Sequence, residues 1–331
     1  MLGDVLLLAA SFAVILTGAV VFTNAVEWLG HRLAMGEGAT GSLLAAVGTA
    51  MPESLIPLVA IIAGNEGSDE VAIGAIVGAP FLLATVAMFL VGVSALAYVR
   101  RRPGGRSLNV HVPTLRRDLS VFLLFFALGL CLGLGAPDGV KIPAAAVFVT
   151  AYAVYVRTTL TGGGPVQAEE TLNPLILGRS GREDPAIRPI VVQFVVGLVA
   201  MVGGAHLFVE EVVAVAESLG LEVLVLSLIL APLATELPEK ANSFFWIREG
   251  KDTLALGNIT GAMVFQSMLP VSFGLVFTTW DLDRFGIASM ALGLAGGAVA
   301  LLAVTRRQRF ELPAILAWGA LYGAFLVLML V

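Results

Sequence analysis

Runs of about 20 apolar residues, parted by short polar interruptions, recur ten times along the chain and predict ten membrane-spanning helices. The spans lie approximately at 4–30, 40–64, 70–99, 118–136, 142–160, 188–216, 222–247, 253–279, 285–304 and 312–331. The polar positions between them sort by charge. With the N-terminus outside, the inside loops collect Arg32, the six arginines Arg100, Arg101, Arg102, Arg106, Arg116 and Arg117, then Arg157, Arg179, Arg182 and Arg188, then Arg248 and Lys251, and finally Arg306, Arg307 and Arg309. The outside loops hold only Lys141 and Arg284 and are otherwise acidic, as at Glu66, Asp69 and Glu70. Displacing one span would scramble this alternation, so the positive-inside rule favours ten helices with both termini outside. One long polar connector, 161–187, leaves five spans on each side, in 1–160 and 188–331. Five is odd, so the second half is expected to enter the membrane in the opposite sense, as an inverted repeat.

Composition narrows the class. Hydrophobic residues make up 58% and charged residues 13% of the 331, where a soluble chain carries roughly 25% charged residues. Too little polar surface remains to cover a globule, so the expectation is an all-α polytopic membrane protein. Asp4 and the absence of a basic leader mark the first run as a helix rather than a cleaved signal. Cys131 is the single cysteine, which excludes a disulfide within the chain.

Two apolar runs carry the same costly interruption, Thr49-Ala50-Met51-Pro52-Glu53 and Thr235-Glu236-Leu237-Pro238-Glu239. A carboxylate in hydrocarbon is a functional hypothesis by default. The proline before it removes an N–H and frees a carbonyl about four residues earlier, near Gly48 and Ala234, so the second and seventh helices are expected to break there. Thr49 and Glu53, like Thr235 and Glu239, are four apart and share a helix face. Hydroxyl, carbonyl and carboxylate oxygens together suit a hard cation. Two carboxylates left empty side by side would repel, so the pair asks to be neutralised by a divalent ion, by sodium or by protons.

The duplication extends further. Glu66-Gly67-Ser68-Asp69 followed by Gly74 and Gly78 repeats as Glu249-Gly250-Lys251-Asp252 followed by Gly257 and Gly261, with identical spacing. The small residues are expected to let the third and eighth spans approach the second and seventh closely. Other polar groups in apolar spans are Gln266, placed nearest the site, and Asn258. Glu236 and Lys240, four apart, read as an intrahelical ion pair, or alternatively as a carboxylate beside a tethered cation. His206 reads as a packing histidine.

At these residues the chain resembles the calcium/cation antiporter superfamily, and within it the sodium/calcium exchangers. Gly48-Thr49-Ala50-Met51-Pro52-Glu53 and Ala234-Thr235-Glu236-Leu237-Pro238-Glu239 are similar to the first part of that family's α-repeat, and Gly257-Asn258-Ile259-Thr260-Gly261 to the second part. The resemblance implies α-repeats at about 40–90 and 225–272, with the second/third and seventh/eighth helices broken at the core. It also implies Glu53 and Glu239 as central Ca2+ ligands, Thr49 and Thr235 lining cation sites, and the first and sixth helices sliding to alternate access. The family's serine and polar positions are Ala50, Ala79 and Leu83 in the first repeat and Glu236, Ala262 and Gln266 in the second, departures that leave fewer oxygens for sodium.

The function expected is therefore a secondary antiporter. It would exchange Ca2+ or a related divalent cation for Na+ or H+ by alternating access at a midplane two-glutamate site formed by Glu53 and Glu239. Thr49, Thr235, Gly48, Ala234 and Gln266 would bind with them, and Glu236, Lys240 and Asn258 would modulate. A proton-coupled exchanger of altered selectivity is the alternative, and a cation channel or uniporter a more distant one. No cofactor, no enzyme activity, no nucleic acid and no obligate protein partner are expected; the partners are inorganic cations and the lipid of the cell (inner) membrane.

Overall fold

The computed structural model describes residues 2–32, 53–102, 105, 107–161, 173–178 and 185–329. Among the described residues every regular element is helical. In chain order they are α1 (Leu2–Arg32), α2 (Glu53–Ala63), α3 (Ser68–Leu82), a π turn (Leu83–Ala87), α4 (Met88–Ala97), α5 (Val112–Gly133), α6 (Asp138–Thr161), α7 (Ile187–Leu219), α8 (Val223–Glu249), α9 (Asp252–Phe277), α10 (Arg284–Leu302), a second π turn (Ala303–Arg307) and α11 (Leu312–Leu328). Six stretches among the described residues are long and apolar enough to cross a membrane: Leu2–Leu29, Ser68–Ala97, Asp138–Thr159, Ile187–Leu219, Asp252–Phe277 and Arg284–Arg306. Shorter apolar helices occupy Glu53–Ala63, Val223–Leu233 and Leu312–Leu328.

The expected break of the seventh span at Pro238 is absent. Helix α8 runs from Val223 to Glu249 through both Pro232 and Pro238, and α9 passes Pro270 without interruption. A proline forfeits one ladder bond, and the flanking turns keep theirs. The carbonyl that Pro232 cannot reach is that of Leu228, and Gly78 of α3 lies directly against it: a Cβ at Gly78 would collide with Leu228 O. Backbone packed this closely covers the freed carbonyl. In the third span the irregularity falls beyond Pro80, at the π turn Leu83–Ala87, where Thr85 Oγ1 donates to Phe81 O at 2.7 Å. Pro52 of the second span lies outside the described residues.

The chain divides into two compact units that cut across its sequence halves. The first comprises 1–68 and 153–220. There α1 lies along α7 with glycines at the closest points: Gly197 faces the backbone of Phe22, Gly204 faces Ile15 and Gly18 faces Met201. Phe22, Val26, Leu55 and Met201 form its apolar core. Residues 173–178 of the expected linker are held on this pair. Asn24 Oδ1 accepts from Gln193 Nε2 at 2.8 Å and from the N–H of Ile176 at 3.2 Å, Gln193 Oε1 accepts from the N–H of Leu177, and Trp28 Nε1 donates to Asn173 O.

The second unit comprises 69–152 and 221–331. Helix α9 packs against α5 and α8, and α10 against α5 and α11. Two buried tryptophans close it, Trp280 Nε1 donating to Gly129 O and Trp318 Nε1 to Gly296 O, each at 3.0 Å. Gly74 and Gly78 of α3 lie on the Leu224–Pro232 stretch of α8, and Ser227 Oγ donates to Val71 O at 2.8 Å. The third span thus meets the seventh, its neighbour from the other half of the sequence.

Candidate cation site

Helix α8 presents the second Thr-x-x-Pro-Glu segment inside the second unit. Thr235 is buried, and its hydroxyl donates back to Ala231 O at 3.2 Å. That bond uses the proton and leaves the oxygen's lone pairs as the part able to meet a cation. Glu236 is 0% exposed and accepts a hydrogen bond from Gln266 Nε2 on α9, itself 1% exposed. A carboxylate removed this completely from water needs such a donor, because burial without hydrogen bonds costs several kcal/mol, on the order of the desolvation of an ion.

A second cross-link joins the same two helices. Asn258 Nδ2 of α9 donates to Ser243 Oγ of α8 at 3.2 Å. From the first link to the second is seven residues along α8 and eight back along α9, about 11 Å of helix. The pair is therefore antiparallel and in fixed register, and the backbone of Glu239 lies between its two polar ties. Beyond Asn258, at the opening of α9, Asp252 accepts from Arg102 Nη2 at 2.7 and 2.8 Å and from the N–H of Asn109 at 2.8 Å, with the Arg102 and Asp252 side chains 0% and 2% exposed. This ion pair anchors the α4–α5 loop to the end of α9.

Glu53 opens α2 in the first unit and is 8% exposed. Gly48 and Thr49 lie outside the described residues, and of Ala234, Glu239 and Lys240 only the helical backbone is described. The structure thus brings Gln266 to the Thr235–Glu236 turn and ties Asn258 to Ser243. The expected Glu236–Lys240 pairing lies outside the described side chains, and the partner that Glu236 shows is Gln266. His206 departs from the sequence reading: it is exposed rather than packed, its Nε2 3.4 Å from Glu210 Oε1, four residues apart on one face of α7.

Sequence reasoning passed over two further polar groups. Asp118 of α5 is buried, taking Arg117 on one oxygen and the hydroxyl of Thr260 on the other at 3.2 Å. An Arg-Asp step where a charged loop gives way to an apolar run was its only signal. Asp252 had a clearer one, being the aspartate of the duplicated Glu-Gly-x-Asp.

A family model described as sodium/calcium exchanger protein matches residues 4–161 and 189–331. Among curated relatives, the putative antiporter CaxA of Alkalimonas amylolytica is 23% identical over 270 residues, covering 81% of this chain and 78% of that one. The inner membrane protein YrbG of Escherichia coli (strain K12) is 24% identical over 250 residues, covering 73% and 70%. Among solved structures, the H+/Ca2+ exchanger CAX superposes with a TM-score of 0.72 at 18% identity, over 99% of this chain and 82% of that one. The sodium-calcium exchanger NCX_Mj superposes with a TM-score of 0.58 at 18% identity, over 98% of each.

Proposed function

The chain belongs to the sodium/calcium exchanger family, as an integral membrane protein built for cation antiport, and from that premise we propose that it exchanges Ca2+ or a related divalent cation for Na+ or H+ at a site centred on Glu53 and Glu239. The proposed frame is ten spans in two inverted five-helix repeats, 1–160 and 188–331, joined by a cytoplasmic linker, with both termini outside the inner membrane. The observation that carries the reading is Glu53, a carboxylate nearly withdrawn from water at the head of an apolar helix, in a motif that recurs at Glu239. A buried carboxylate of this kind is held for ion handling. Thr49, Thr235 and the carbonyls of Gly48 and Ala234 supply neutral oxygens, and Gln266 adds an amide oxygen from α9. Glu236, Lys240 and Asn258 tune the field around them. Alternating access follows from the need to neutralise both glutamates before the empty site can turn.

Proton coupling is the second reading, and the first repeat favours it. Ala79 of α3 and Leu83 at the start of the π turn are buried and apolar, at positions where the family resemblance leads one to expect oxygen ligands. Losing neutral oxygens weakens a monovalent ion more than a divalent one. The chain reconstituted in liposomes should take up 45Ca2+ uphill under an imposed gradient, and separate sodium and pH gradients identify the counter-ion. Glu53→Gln and Glu239→Gln should each abolish that uptake while the protein still elutes as a folded species. Uptake persisting in both variants would remove the site, and uptake that only runs downhill would point to a uniporter.

A further inference from the structure

At the start of α5 a cleft of about 470 Å3 is lined by Val112, Pro113, Arg116, Arg117 and Ser120. We infer that this cleft holds the phosphate headgroup of an anionic phospholipid, with Arg116 and Arg117 as its cationic contacts. Three observations converge on it. Its walls are apolar while its polar groups are two guanidiniums and a hydroxyl, a combination that suits a phosphodiester on a glycerol backbone better than a free ion. It opens where the arginine-rich stretch from Arg100 to Arg117 gives way to the apolar run of α5, the depth at which a lipid phosphate sits. Below it, Leu124 and Leu128 continue the Arg116–Ser120 stripe at four-residue spacing and are 56% and 42% exposed, an uncovered path for an acyl chain.

The cleft also reaches the cation-handling helix. Arg117 Nε and Nη2 lie 3.0 and 2.9 Å from Asp118 Oδ1, and Asp118 Oδ2 accepts from Thr260 of α9 at 3.2 Å. A phosphate drawn to Arg117 competes with Asp118 for the guanidinium. Lipid occupancy is thereby felt by the helix that carries Asn258 and Gln266. This inference stands independently of which cations the protein exchanges.

The test uses the full chain in nanodiscs of phosphatidylcholine alone or mixed with phosphatidylglycerol, read by native mass spectrometry for retained lipid and by thermal melting. The wild type should retain phosphatidylglycerol and melt higher in the mixed discs. Arg116→Gln, a change at an exposed side chain, should weaken retention about fivefold, and the Arg116→Gln/Arg117→Gln double variant about 25-fold. The single variant keeps the test valid if the double variant fails to fold, since Arg117 is also held by Asp118. Equal phosphatidylglycerol retention by wild type and Arg116→Gln overturns the proposal. So does a gain in melting with inorganic phosphate in phosphatidylcholine discs that matches the lipid, since that would make the cleft a free-anion site.

Discussion

Helices α3 and α9 carry the same duplicated pattern and put it to different use. In α3, Gly74 and Gly78 lie against the backbone of α8, and the positions that follow, Ala79 and, just past the helix, Leu83, are buried and apolar. In α9, no described atom comes within 4 Å of a Cβ built on Gly257 or Gly261, and the position matching Leu83 is Gln266, bonded to Glu236. The opening aspartates diverge likewise: Asp69 is exposed, whereas Asp252 is buried against Arg102. A duplicated backbone pattern has been kept while its chemistry was divided, one copy for close packing and the other for buried charge. Symmetry of motif is therefore no guide to symmetry of ligand.

The sharpest way to break this contrast is at the aspartates. Asp252→Ala leaves Arg102 buried without its partner and should destabilise by about 3–5 kcal/mol, whereas Asp69→Ala, at an exposed side chain, should shift the melting midpoint by little. Equal effects at both would show that Asp252 is not held as described. Next in size is Gly78→Ala, whose methyl must displace the Leu228 carbonyl and should lower stability by about 1–3 kcal/mol. Gly261→Ala sharpens the same point. No described atom stands within 4 Å of the added methyl there, so the change should be neutral or slightly stabilising, as helix propensity gives; a loss as large as that at Gly78 would show that the two copies pack alike.

Gln266→Leu makes α9 match the third span and takes the amide donor from Glu236. We expect a stability loss of about 1–3 kcal/mol and an altered counter-ion dependence of 45Ca2+ uptake; unchanged uptake would mean that the polar pair is structural only. The smallest effect belongs to Lys251→Ser, which makes the loop read Glu-Gly-Ser-Asp as in the first repeat. The Lys251 hydrogen bond and charge hold the Glu249 carboxyl below the usual glutamate range. A depressed carboxyl contributes stability above its unfolded pKa and loses it as pH falls through the folded one. Glu249 is exposed to solvent, so thermal melts of wild type and variant should nearly coincide, differing only at the acid end.

Hydropathy and charge alternation are written locally, so the apolar runs, the polar connectors and the duplicated Thr-x-x-Pro-Glu and Glu-Gly-x-Asp segments were legible in the sequence, and with them the family. Proline positions were legible too, but their consequence was not. Helix α8 runs unbroken through Pro232, and the carbonyl that the proline abandons meets Gly78, some 150 residues away in the sequence. The same limit applies to Glu236, whose bond to Gln266, thirty residues on in the next helix, local spacing cannot name. It applies also to the first 160 residues, which form one sequence half yet contribute to both compact units. Periodicity along a chain reports which face of a helix avoids water. Only the packed structure decides which other helix meets that face, because in a membrane every apolar face is acceptable to lipid and the choice rests on close backbone fit and a few buried polar bonds.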